Sequence, residues 1–146
     1  MESISQEKVI VKVTPESYPT ERDIANLICY VWRLSMEAPW GAFGVYPLTV
    51  EEASRAFLYV QRWHGKLDGR RMFHLIVSFP QRISMSAVYE TSKRISETIG
   101  SGYQNVWGIH TDKNNLHVHF AINATNYVNG RKITEEELFK HLKIAI

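Results

Sequence analysis

Apolar positions along this chain alternate between two spacings, every second residue and every third or fourth, and the switches between them mark out its elements. Residues 8–13 form a short β-branched run that stops at Thr14-Pro15 and reads as a strand. Thr20-Glu21-Arg22-Asp23 has the hydroxyl and early carboxylates of a helix start, and Ile24, Leu27, Ile28, Val31 and Leu34 follow at helical spacing, ending before Pro39. Residues 39–48 hold prolines and glycines and predict a loop or a short edge strand. A second helix restarts at Leu48, with Thr49 as N-cap, Glu52 completing a capping box, and an apolar stripe of Ala53, Ala56, Phe57, Val60 and Trp63. After the turn cluster at 65–69, a strand over 71–79 is stopped by Pro80, and Ser84 opens a third helix to about Ile99. Two strands, 103–110 and 116–125, flank the turn-prone Asp112-Lys113-Asn114-Asn115. Asn129-Gly130 is a hairpin-type turn, and Thr134 with Glu137 forms a capping box for a last helix to about Ile144. The order β-α-α-β-α-β-β-α predicts an α+β fold: a central, mainly antiparallel sheet with helices packed on its apolar face, a two-layer sandwich.

The last of these strands carries the most chemistry. In an extended chain alternate side chains share a face. Leu116, Val118, Phe120 and Ile122 therefore point toward a core, while His117, His119, Ala121 and Asn123 point the other way. His110 ends the preceding strand, and the turn can fold it back beside the His-x-His pair. Three imidazole nitrogens on one surface suit a divalent ion of the Mn, Co, Ni or Zn kind and leave open positions for substrate. A bare His-x-His is as readily a surface pair on an edge strand; His110, Asp112 and Asn123 beside it favour the metal reading. The strand 72–79 divides in the same way, with Phe73, Leu75, Val77 and Phe79 on one face and His74, Ile76 and Ser78 on the other. His74 suits a core histidine equally well, and Ser78 a strand end. Tyr30 falls at the edge of the first helix's apolar stripe, where a ring can be buried and a hydroxyl exposed; an ordinary packing tyrosine would sit there too.

Composition narrows the classes. The chain has 146 residues, a length suited to one domain, with 45% hydrophobic and 22% charged residues, as in globular proteins. Its net charge of +2 permits a nucleic-acid partner without demanding one. A lone cysteine, Cys29, excludes a disulfide framework and points to a reducing, cytoplasmic setting. No apolar run reaches the ~20 residues of a membrane span.

Taken together, the motifs resemble the conjugative relaxases, the mobilisation nucleases within the HUH endonucleases. His110-x-Asp112-x4-His117-x-His119-x3-Asn123 is similar to that family's third motif. The segment Phe73-His74-Leu75-Ile76-Val77-Ser78-Phe79-Pro80 resembles the second, and residues 26–32 resemble the first motif of the P-type branch. The three occur in family order across about residues 24–132. The resemblance implies metal-dependent, strand-specific nicking and rejoining of single-stranded DNA at an origin of transfer, through a 5′-phosphotyrosine link. It implies Tyr30 as nucleophile and Asp112 as the group that orients an imidazole or helps deprotonate Tyr30. It implies His110, His117 and His119 as ligands of a divalent ion (Mn, Mg, Zn, Co or Ni), and relaxosome accessory proteins as further partners. Ser78, His74, Asn123, Arg70, Arg71 and Lys113 are the expected DNA contacts, with stacking on Trp40 or Trp63. Two departures stand out: Asn115 occupies a position where many relatives carry histidine, and the chain stops just after one helix past the third motif. A non-catalytic, relaxase-derived DNA-binding protein, a replication-initiation HUH nuclease and a metal-dependent hydrolase of another substrate remain as alternatives.

Overall fold

The computed structural model describes residues 9–32, 38–46 and 49–146. The expected starts at Lys8 and Leu48 and the helical position Leu34 lie outside these residues. Five strands, β1 (Ile10–Val13), β2 (Trp40–Phe43), β3 (Met72–Ser78), β4 (Asn105–His110) and β5 (His117–Asn123), form one sheet in the order β1-β3-β5-β4-β2. Every neighbouring pair is antiparallel. The stretch left open between loop and strand is the edge strand β2, paired with β4 through Trp40↔Gly108 and Phe43↔Asn105. Four helices complete the fold: α1 (Glu21–Trp32), α2 (Val50–Trp63), α3 (Met85–Ile99) and α4 (Glu135–Ala145).

The helix starts follow the capping chemistry in the sequence. Thr20 and Asp23 cap reciprocally, with Asp23 N–H donating to Thr20 Oγ1 and Thr20 N–H to Asp23 Oδ2, both at 3.1 Å. Thr134 and Glu137 do the same. Thr49 and Ser84 accept the backbone N–H of Glu52 and Ala87. Each such cap stabilises its helix by ~1 kcal/mol.

The antiparallel α+β architecture matches the sequence pattern, and its layering goes one step further. The apolar face carries Leu75, Val77, Trp107, Ile109, Val118, Phe120 and Ile122, covered by Val88, Ile95 and Ile99 of α3 and Leu138 and Leu142 of α4. Helices also cover half of the opposite face. There Ile24, Leu27, Ile28 and Val31 of α1 and Ala53, Phe57 and Leu58 of α2 pack on Met72, Val106 and Ala121. Burying each of these larger side chains stabilises the packing by roughly 2 kcal/mol. The sheet is thus sandwiched on both sides at the Met72/Asn123 end. At the other end the histidine face opens toward solvent.

Three residues expected to contact DNA also make hydrogen bonds within the fold. Asn123 is fully buried: its Nδ2 donates to Phe57 O and Gln104 Oε1, and its Oδ1 accepts from Gln61 Nε2 and Thr125 N–H. Arg71 is buried as well, donating from Nε to Gln61 Oε1 and from Nη1 to Pro19 O. Arg70 donates to the carbonyls of Glu16 and Pro15 and lies 4.4 Å from the centroid of the Phe73 ring. Asn123 and Arg71 are buried at the closed end of the sheet, where an unpaired polar group would be costly, while Arg70 is partly exposed. Asn123→Ala would strand the two glutamines and a carbonyl in the core. Urea denaturation should show a loss of about 3 kcal/mol, and a change within the error of the measurement would refute this structural role.

Candidate active site

The open end of the histidine face is assembled by register. His110 pairs across the sheet with His117, His117 with Ser78, and His119 with both Gly108 and Ile76. Paired residues share a face, so His110, His117, His119 and Ser78 converge. His110 and His119 stack with ring centroids 3.9 Å apart, and His117 lies 5.2 Å from His119. One nitrogen from each of His110, His117 and His119 falls within 4.8 Å of the others.

The second nitrogen of each ring is already engaged. His110 Nε2 lies 2.9 Å from Val31 O, and His117 Nδ1 lies 3.1 Å from Asn115 O. A carbonyl only accepts, so these nitrogens carry protons, which leaves His110 Nδ1 and His117 Nε2 as lone-pair donors in the neutral rings. His119 Nδ1 lies 2.8 Å from His74 Nε2. Burial pushes the His74 imidazole down to about 4, with Glu16 pulling the other way and His110 and Lys12 adding to the drop. His74 is therefore neutral at pH 7 and can accept the Nδ1–H of His119, which puts the lone pair of a neutral His119 ring on Nε2. Three imidazoles whose remaining nitrogens converge, with hydrogen-bonded far sides, fit a divalent ion. Asp112 Oδ1, 3.3 Å from His117 Nε2, adds a carboxylate to the rim.

Tyr30 completes the arrangement. The buried stripe of α1 holds the helix against the sheet, and Tyr30, 38% exposed, lays its ring edge-on to His119, His110 and His74 at centroid distances of 5.3, 5.5 and 5.7 Å. A cleft of about 560 Å³ brings Tyr30 together with Ser78, Asp112, Lys113, His117 and His119. His74 sits behind His119, 8% exposed, so it supports a ring of the cluster rather than facing the cleft directly. Its signal in the sequence, a histidine two strands from the His-x-His pair, was readable; its hydrogen bond was not.

Other tyrosines lie differently. Tyr127 donates to Gly100 O at 2.5 Å, beyond the closed end, and Tyr46 is 80% exposed. Tyr18, with φ +56, bonds Thr14 Oγ1 and borders a hollow on the far side of Tyr30 and His74. Trp63 lines a separate, largely apolar depression with Arg55, Tyr59 and Arg62; it is wider, about 660 Å³, yet holds no histidine, cysteine or carboxylate. Trp40 stands on β2 against Trp32. Lys12, which the sequence pattern did not single out, also lines the histidine cleft.

The site is thus an antiparallel sheet presenting a histidine cluster beneath a helix-borne tyrosine. Comparison with known proteins agrees: the family model of the MobA/VirD2-like relaxase nuclease domain matches residues 30–145, and the chain belongs to that family. It is also 32% identical over 102 residues to Protein TraI of Escherichia coli, a match that takes in 66% of this chain. The chain spans 13% of that protein's length.

If His74 holds the His119 ring in place, His74→Ala should weaken Mn²⁺ or Zn²⁺ binding by about tenfold. Calorimetry on the folded variant checks this, with circular dichroism confirming the fold. Unaltered metal affinity would show that the 2.8 Å contact does no orienting.

Proposed function

We propose that this chain nicks and rejoins single-stranded DNA at an origin of transfer, with Tyr30 as the nucleophile. The observation that carries the reading is the placement of Tyr30 edge-on over His110 and His119, two of the three candidate ligands, and over His74 behind them. The Tyr30 hydroxyl attacks the scissile phosphorus, the P–O bond to the upstream 3′ oxygen breaks, and a 5′-phosphotyrosine and a free 3′-OH result. The reverse attack by a 3′-OH reseals the strand, because the bond energy is kept in the covalent link. His110, His117 and His119 would hold the ion, which supplies charge stabilisation for the pentacovalent phosphate.

The chain's other residues have separable tasks. A phenol attacks well only when its proton is withdrawn, and Asp112 is the one carboxylate among the residues lining the cleft. It is the base we assign to Tyr30. Ser78, opposite His117, offers a hydroxyl to a phosphate oxygen. Lys113 adds positive charge at the rim. Placing the hydroxyl on a packed helix rather than a loop holds it within the narrow tolerance of in-line attack. The single domain spanning residues 1–146, a cytoplasmic setting and relaxosome partners that open the duplex belong to the same reading. Among the described residues no helix is long and apolar enough to cross a membrane.

Tyr30→Phe removes one oxygen and should abolish the covalent protein–DNA band on an origin oligonucleotide with Mn²⁺, while metal binding stays as in the wild type. Chelation of the metal should lower adduct formation by at least about 10²-fold. A Tyr30→Phe variant that still forms the adduct would move the nucleophile elsewhere, with Tyr18 next to test. Absence of any adduct from the wild type on a verified origin strand would favour the non-catalytic, DNA-binding alternative.

A further inference from the structure

We propose that Lys12 binds a DNA backbone phosphate lying across the histidine cluster, and so couples DNA binding to metal binding at this site. The inference rests on the nuclease reading of the same cleft. β1 pairs with β3 through Lys12↔Ile76 and Ile10↔Ser78, so Lys12 shares the face of Ser78 and the histidines. Its neighbours Val11 and Val13 alternate into the core on the opposite face. The pairing then runs from Ile76 to His119, which places Lys12 two strand spacings, about 10 Å, from a candidate ligand. Lys12 lines the cleft beside Tyr30 and Ser78.

The electrostatics are unbalanced in a specific way. Among the described residues no carboxylate is ion-paired with Lys12. Asp112, the carboxylate in the cleft lining, is engaged with His117. A cleft built to accept a divalent cation thus also holds the ammonium groups of Lys12 and Lys113. Like charges this close repel, and the free protein must bind the ion less tightly for it. An anion placed between them reverses the sign of the effect. A phosphodiester fits: it carries one negative charge per linkage, lysine binds it as a compact point charge, and Ser78 supplies a neutral donor beside it. Lys113 sits in a turn, whereas Lys12 is held by the strand ladder, so Lys12 fixes where the phosphate lies.

A lysine on an edge strand has a plainer use, keeping the edge from pairing with another sheet. The two roles separate by measurement. Lys12→Met keeps the alkyl stem and removes the charge. Calorimetry with Mn²⁺ alone at low salt should then show metal binding tightened by roughly twofold to fivefold. Fluorescence anisotropy with labelled oligothymidine in the presence of Mn²⁺ should show DNA binding weakened by roughly fivefold or more. Lys12→Arg should restore both values toward the wild type. Opposite signs for the two affinities are the signature, because a damaged fold would weaken both. If Lys12→Met leaves DNA affinity unchanged, or lowers metal affinity, the inference is overturned while the nuclease reading stands. If the wild type binds neither Mn²⁺ nor oligothymidine, the nuclease reading fails and takes the inference with it.

Discussion

The hydrogen bond from His110 Nε2 to Val31 O ties the two halves of the site together. One partner is a metal-ligand candidate at the end of β4; the other is a backbone carbonyl of α1, one residue from Tyr30. The bond sets the tautomer of His110, so that Nδ1 faces the cluster. It also fixes the height and rotation of α1 over the sheet, and with them the position of the Tyr30 ring. A buried hydrogen bond of this kind contributes only ~1 kcal/mol net. Its geometric consequence is larger, because the nucleophile and the ligand set are held at one distance from each other.

That helix can lie so close because of what the sheet presents beneath it. At the closed end the histidine face is apolar or small: Met72, Val106 and Ala121 under Leu27, Ile28 and Phe57. At the open end it carries His110, His117, His119 and Ser78, with Ile76 and Lys12 beside them. One surface therefore does two jobs along its length, packing α1 and α2 at one end and presenting polar groups at the other. The cluster's charge is managed in the same economical way. Val31 O, Asn115 O and His74 each take one ring proton. An imidazole kept neutral by burial serves where a carboxylate would have added negative charge next to the ion.

Local pattern determined a great deal. Periods of 2 and 3.6, capping hydroxyls at Thr20, Thr49 and Thr134 and turn residues at 112–115 and 129–130 specified the helices, the three long strands and their order, since each rests on residues a few positions apart. The same alternation put His117, His119 and Asn123 on one face and Val118 and Phe120 on the other. The motif spacing identified the histidine trio and the family. What only the tertiary structure decided depends on pairs far apart in sequence: His110 with Val31 across 79 positions, His74 with His119 across 45, Asn123 with Gln61 across 62. The burial of Arg71 and Asn123 at the sandwiched end was decided by the packing, because nothing local says which half of a polar face a helix will cover. Lys12 read as an unremarkable strand lysine, because its importance depends on which strand β1 pairs with and in which register. Periodicity reports which way a side chain points; only the packed sheet and helices decide what it meets there.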